Sequence, residues 1–153
     1  MNKHHKNQEG FTLIEILVVI AIIAILAAIV IVAINPTRQF SLARNAQRWS
    51  NINTILDATY QYAADNNGSL PLMITTTTTE IYKTGATGTS TALIDLSVLT
   101  NSEKYITSMP VDPSCPTGCN AIGTGYNIYK SVNSRITVTA TLAEVSSTIS
   151  VTR

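Results

Sequence analysis

From Ile16 to Ile34 the chain runs 19 residues without one polar side chain. The apolar stretch reaches back to Phe11 with only Thr12 and Glu15 interrupting it. As a helix at about 1.5 Å rise per residue, residues 11–34 span roughly 36 Å, enough for a bilayer core of about 30 Å. A removable secretory signal is the competing reading. Its apolar region is usually about 7–15 residues long and ends in a small-residue cleavage site, whereas Ala27-Ala28 lie inside this run and no such site follows Ile34. The segment is therefore expected to stay on the chain as a membrane helix.

The remainder has room for one modest domain, since the whole chain is 153 residues. Ten Lys and Arg stand against nine Asp and Glu, so there is no basic field for a phosphate backbone and nucleic-acid binding is not indicated. Two lysines in the leader Met1 to Gly10 favour a cytoplasmic N-terminus. Arg38, Arg44 and Arg48 follow on the far side of the run, so charge alone leaves the orientation open.

The string Gly10-Phe11-Thr12-Leu13-Ile14-Glu15, between a short basic leader and an uninterrupted apolar helix, resembles the type IV prepilin and pseudopilin signature. The resemblance implies that residues 1–10 are a leader removed by prepilin peptidase, which cuts between Gly10 and Phe11 on the cytoplasmic side. It also implies N-methylation of the new Phe11 amine. A glycine suits that cut, because without a Cβ it enters a protease site in extended form. By the same resemblance, residues 11–35 form a transmembrane and filament-core helix, and residues 36–153 an extracytoplasmic globular domain. Glu15, the only ionisable side chain between Phe11 and Ile34, is assigned to assembly, pairing with the amine of a neighbouring subunit. The implied partners are other copies of the chain, the peptidase, the pilus assembly machinery and the cytoplasmic membrane. The implied location is that membrane as a single-pass protein, then a cell-surface or extracellular filament.

Beyond Pro36, apolar residues recur at Leu42, Ala46, Trp49, Ile52, Leu56, Tyr60 and Ala63, a spacing that predicts an amphipathic helix over 37–66. Asn45, Gln47, Arg48, Asn51 and Asp65 fall off that stripe. Pro36 lacks a backbone donor and pushes Asn35 from helical angles, so a kink is expected near 34–37. Residues 69–100, with five consecutive threonines at 75–79, read as a variable Thr-rich loop with a short helix or turn at 93–99. Pro110 and Pro113 exclude a central strand around them. Alternation at Tyr126/Ile128, Ile136/Val138/Ala140/Leu142 and Ile149/Val151 predicts three antiparallel strands within 124–152. The expected fold is α+β and pilin-like: a long N-terminal helix whose second half covers a small antiparallel sheet.

Little in this sequence supports catalysis. His4 and His5 are the only histidines and leave with the leader, which removes imidazole-based nucleophilic pairs and the usual zinc sites. Asp57, Asp65, Asp95, Asp112, Glu80, Glu103 and Glu144 form no motif and read as solvated surface charge. Cys115 and Cys119 flank a Pro- and Gly-containing loop; a disulfide suits an extracytoplasmic domain, two thiols being the alternative. Asp112 is the one acid placed for calcium, which normally takes about six to eight oxygens, and no second acid occurs over 114–126. No metal or cofactor is expected. Asn67-Gly68-Ser69 matches a glycosylation acceptor, a weak signal. The expected function is a structural subunit of a type IV pilus or related filament rather than an enzyme; the alternatives are a secretion pseudopilin or a minor tip or binding pilin.

Overall fold

The computed structural model describes residues 10–85, 92–115, 119 and 121–153. The leader before Gly10, with His4 and His5, and residues 86–91 of the Thr-rich loop lie outside the described residues. The chain divides into two compact units, the first ending at Gln39 and the second running from Phe40 to Arg153.

In the first unit, α1 covers Leu13–Ile34 and buries none of its side chains. Thr12 caps it, with extended backbone angles and its hydroxyl accepting from the Glu15 amide at 3.3 Å. This arrangement satisfies one of the orphan donors of the first turn. At the other end Asn35 adopts a left-handed conformation, φ 50° and ψ 80°, which asparagine tolerates better than most residues. The second helix, α2, starts at once with Pro36 and runs to Asp65. Asn35 also begins that helix: its Oδ1 accepts from the Arg38 amide at 3.3 Å and the Thr37 hydroxyl at 2.7 Å. The break thus sits on Asn35. Pro36 occupies the first helical position, where a missing N–H costs nothing.

The second unit is α+β, with one mixed sheet in the order β2-β1-β3-β4-β5. The strands are β1 Thr79–Tyr82, β2 Leu93–Ile94, β3 Gly123–Lys130, β4 Ile136–Ala140 and β5 Ile149–Thr152. The three C-terminal strands pair antiparallel, as their alternation predicts. Two more extend the sheet: β1 pairs antiparallel with β3, and β2 parallel with β1. Both fall in the stretch read as a Thr-rich loop. Threonine is β-branched and fits a pleated surface, and Ile81, fully buried, supplies the anchor that makes the end of the threonine run a strand. After β2, a short helix α3 at Ser97–Thr100 buries Leu99.

One core joins α2 to the sheet: Ile52, Ile55, Leu56 and Ala58 meet Ile81, Tyr126, Ile128, Ile136, Val138 and Ile149. The α2 pattern differs from the expected stripe. Ile52, Leu56 and Ala63 are buried, but Leu42 and Trp49 are 39% and 43% exposed, while Asn45, Arg48 and Asn51 are buried. The apolar core begins only at Ile52. Before it, α2 lies on two loops with backbone and carboxylate groups to satisfy, so its polar residues turn inward.

Candidate functional site

Two places carry the chemistry. The first is the junction ahead of α1, where Gly10, Phe11 and Thr12 are non-helical and exposed. A Cβ added at Gly10 would meet nothing within 4 Å. The fold itself therefore makes no demand for glycine there. Phe11 is 79% exposed, and the Glu15 carboxylate has no partner among the described residues. Behind them stand the 22 residues of α1, of which an 18-residue window has a mean hydropathy of 3.6 and no burial. Such a surface is stable only when a bilayer or other apolar helices cover it.

The second place is a buried arginine centre. Arg48 is fully buried. Its Nε and Nη2 grip both oxygens of Asp112, at 2.7 and 3.0 Å. Nη1 donates to Glu144 Oε2 and Asn45 Oδ1, each at 2.8 Å, and Nη2 to the Ser114 hydroxyl at 2.6 Å. A planar guanidinium suits this task, because its donors form a fork that matches a carboxylate. Asn45 adds a reciprocal pair with the Glu144 backbone, its Nδ2 donating to the carbonyl at 2.7 Å and its Oδ1 accepting from the amide at 3.0 Å. Arg44 Nε donates to Glu144 Oε2 at 2.7 Å, and the Ser41 hydroxyl to Oε1 at 3.1 Å. Asn51 donates to the Val111 carbonyl and to the Tyr126 hydroxyl. One face of α2 thereby fastens the segments around Asp112 and Glu144, which are distant in sequence.

The electrostatics follow from these bonds. Hydrogen bonds from Arg44 and then Arg48 hold the Glu144 carboxyl down to about 2, while Asp112 raises Arg48 further into the always-charged range. Burial pushes the Tyr126 hydroxyl up to about 12. Cys115 and Cys119 are joined as a disulfide with Cα atoms 5.1 Å apart. Gly125, with φ +81°, lets β3 pass beneath this loop: a Cβ there would lie 2.8 Å from Asp112 Cβ and 3.0 Å from Cys119 Sγ.

Asp112 and Glu144 are therefore not the solvated charges expected from sequence. Asp112 spends both oxygens on Arg48, and Oδ1 also accepts from the Ser114 amide at 2.8 Å; the guanidinium stands where a calcium ion would have to. Among the described residues, no three His, Cys, Asp or Glu side chains gather as a metal site. Carboxylates locked in ion pairs are also poor general acids or bases. Sequence reasoning missed Arg48, Asn45 and Asn51 because it placed them on the wet side of α2. Their spacing of three residues was a signal, but their partners lie some 60 to 100 positions away.

An apolar N-terminal helix followed by a helix-covered sheet is the α+β arrangement of a pilin-like fold. Residues 5–31 match the family described as the prokaryotic N-terminal methylation motif, the prepilin signature of type IV pilins and pseudopilins. The motif points to a pilin-like or pseudopilin structural subunit and implies processing by prepilin peptidase, membrane anchoring and filament assembly. No curated protein and no solved structure matches the chain.

Proposed function

We propose that this chain is the structural subunit of a type IV pilus or closely related filament. It enters the cytoplasmic membrane through α1, is cut between Gly10 and Phe11, is methylated on the Phe11 amine, and assembles with copies of itself through α1. The observation that carries this reading is the methylation motif at residues 5–31, which takes in most of a helix with no buried side chain. In the membrane, lipid covers that helix; in a filament, the helices of other copies do. Residues 36–153 then form the extracytoplasmic coat, where the Cys115–Cys119 disulfide is at home. No enzymatic role is assigned.

Within this reading Glu15 has a specific task. A charge at the centre of a membrane helix costs about 2.5–3.5 kcal/mol on insertion scales; Glu15 stands in the first turn of α1, where the cost is smaller but a helix N-terminus returns only about 0.3–1 kcal/mol. Pairing with the Phe11 amine of a neighbouring copy supplies the compensation and fixes axial register. Glu15→Ala is expected to insert and to be cut after Gly10, yet to yield few filaments. Filament yield equal to wild type would remove Glu15 from assembly.

A further inference from the structure

Among the described residues of the second unit, the two most exposed large apolar side chains stand on neighbouring turns. Leu72 is 95% exposed and Val132 90%, with Met73 beside Leu72 at 57%. Leu72 and Met73 form the middle of a turn in which the Ile74 amide donates to the Pro71 carbonyl at 3.0 Å, and Pro71 and Ile74 are buried. Val132 lies in the turn between β3 and β4, where the Ser134 amide donates to the Ser131 carbonyl at 2.9 Å and the Ser131 amide to the Arg135 carbonyl at 2.8 Å. One bond ties the two turns together, from the Lys130 amide to the Thr75 carbonyl at 2.8 Å. Because β1 and β3 are antiparallel, the residues before Thr75 and those after Lys130 leave that bond at the same end of the sheet. The turns are held from inside while their apolar tips belong to no core.

The same end is basic. Lys130 and Arg135 frame the hairpin turn, and no Asp or Glu occurs over 66–79 or 126–143. Neither cation has an ion-pair partner among the described residues. Asp57, which reaches this end through Arg153, is already paired with it. The end is also the one remote from Phe40. Ser41 and Arg44 of α2 bind Glu144 in the loop after β4, whereas the Tyr60 hydroxyl binds Arg153 and Ile136 at the start of β4.

We propose that this end of the domain docks onto an anionic lipid bilayer, with Leu72, Met73 and Val132 entering the acyl boundary and Lys130 and Arg135 meeting the headgroups. Apolar tips with cations at their base follow the order of a membrane surface, charge above hydrocarbon. The exposed residues among them, Thr75, Asn133 and Ser134, carry hydroxyls and an amide that suit wet headgroups and would be costly to bury in a dry protein seam. The cations select anionic lipid. The proposal goes beyond the filament reading and does not require it; repetition along a filament multiplies a single weak contact.

The full-length chain with α1 seated in nanodiscs of phosphatidylcholine leaves the patch free to meet a second membrane. Such discs should sediment with sucrose-loaded vesicles containing phosphatidylserine, and scarcely with vesicles of phosphatidylcholine alone. Empty discs should sediment with neither. Leu72→Ser with Val132→Ser should lower the partition coefficient by about tenfold or more. Lys130→Gln with Arg135→Gln should erase the preference for phosphatidylserine, as should high salt. None of the four side chains belongs to the core, so unchanged denaturant midpoints identify a binding effect. Sedimentation no greater than that of empty discs, binding undiminished by either pair of substitutions, or equal binding to both vesicle types overturns the proposal. So does pairing of discs with one another that the Leu72 and Val132 substitutions abolish, which makes a second copy the occupant. With α1 in disc lipid none of these outcomes depends on filaments, and vesicle binding by a chain that forms no filaments counts against the filament reading alone.

Discussion

Removing Arg48 leaves Asp112 with a buried charge and no cation, because that carboxylate is 2% exposed and both its oxygens lie on the guanidinium. Breaking one side of such a pair costs about 3–5 kcal/mol, whereas replacing both sides with apolar groups can be close to neutral. Arg48→Met is therefore expected to destabilise the full-length chain by about that amount in denaturant titration. The double variant Arg48→Met/Asp112→Leu should recover a substantial part. Equal losses in both would mean that Arg48 acts through packing alone. Glu144 gives a pH signature. Its carboxyl is lowered from 4.5 to about 2 in the folded chain, so the stability it contributes is complete above pH 4.5 and is lost as pH falls through about 2. Glu144→Gln should flatten the acid limb of the stability profile in that window; an unchanged limb would show that other groups govern acid unfolding.

At the level of elements, the apolar α1 and the three C-terminal strands were legible because their signals are local. Nineteen apolar residues in a row, and Tyr126/Ile128 or Ile136/Val138/Ala140 in alternation, need no partner to be read. The strand β1 was hidden by its threonines, and β2 by its length of two residues. The first half of α2 defeated the amphipathic rule, since that rule assumes that an apolar core lies under a helix, and here ion pairs and loop backbone do. The junction between the helices was half legible: Pro36 announced a break, but Asn35 makes it, ending α1 and starting α2. Asn35→Ala removes the tolerated left-handed residue and the side-chain acceptor together, at a cost of about 1 kcal/mol. Amide exchange at Thr37 and Arg38 should accelerate in micelles; protection equal to wild type would show that Pro36 alone sets the start of α2.

At the scale of the whole molecule, the chain pairs a helix that is stable only when something covers it with a domain that carries its own core. The domain buries Arg48 and Asp112 as a fixed pair, and among the described residues no three His, Cys, Asp or Glu side chains gather as a metal site. The largest exposed apolar feature is α1, with the exposed junction at Gly10 and Phe11 ahead of it. The proposed assembly depends on one event, a cut between Gly10 and Phe11. The most direct test is the intact mass of the chain recovered from filaments of the producing cell. The account predicts the mass of Phe11 to Arg153 with the Cys115–Cys119 disulfide intact and one added methyl group, located on the Phe11 amine by fragmentation. A mature chain that still begins at Met1, or one that begins beyond Ile34 with α1 removed, would contradict it.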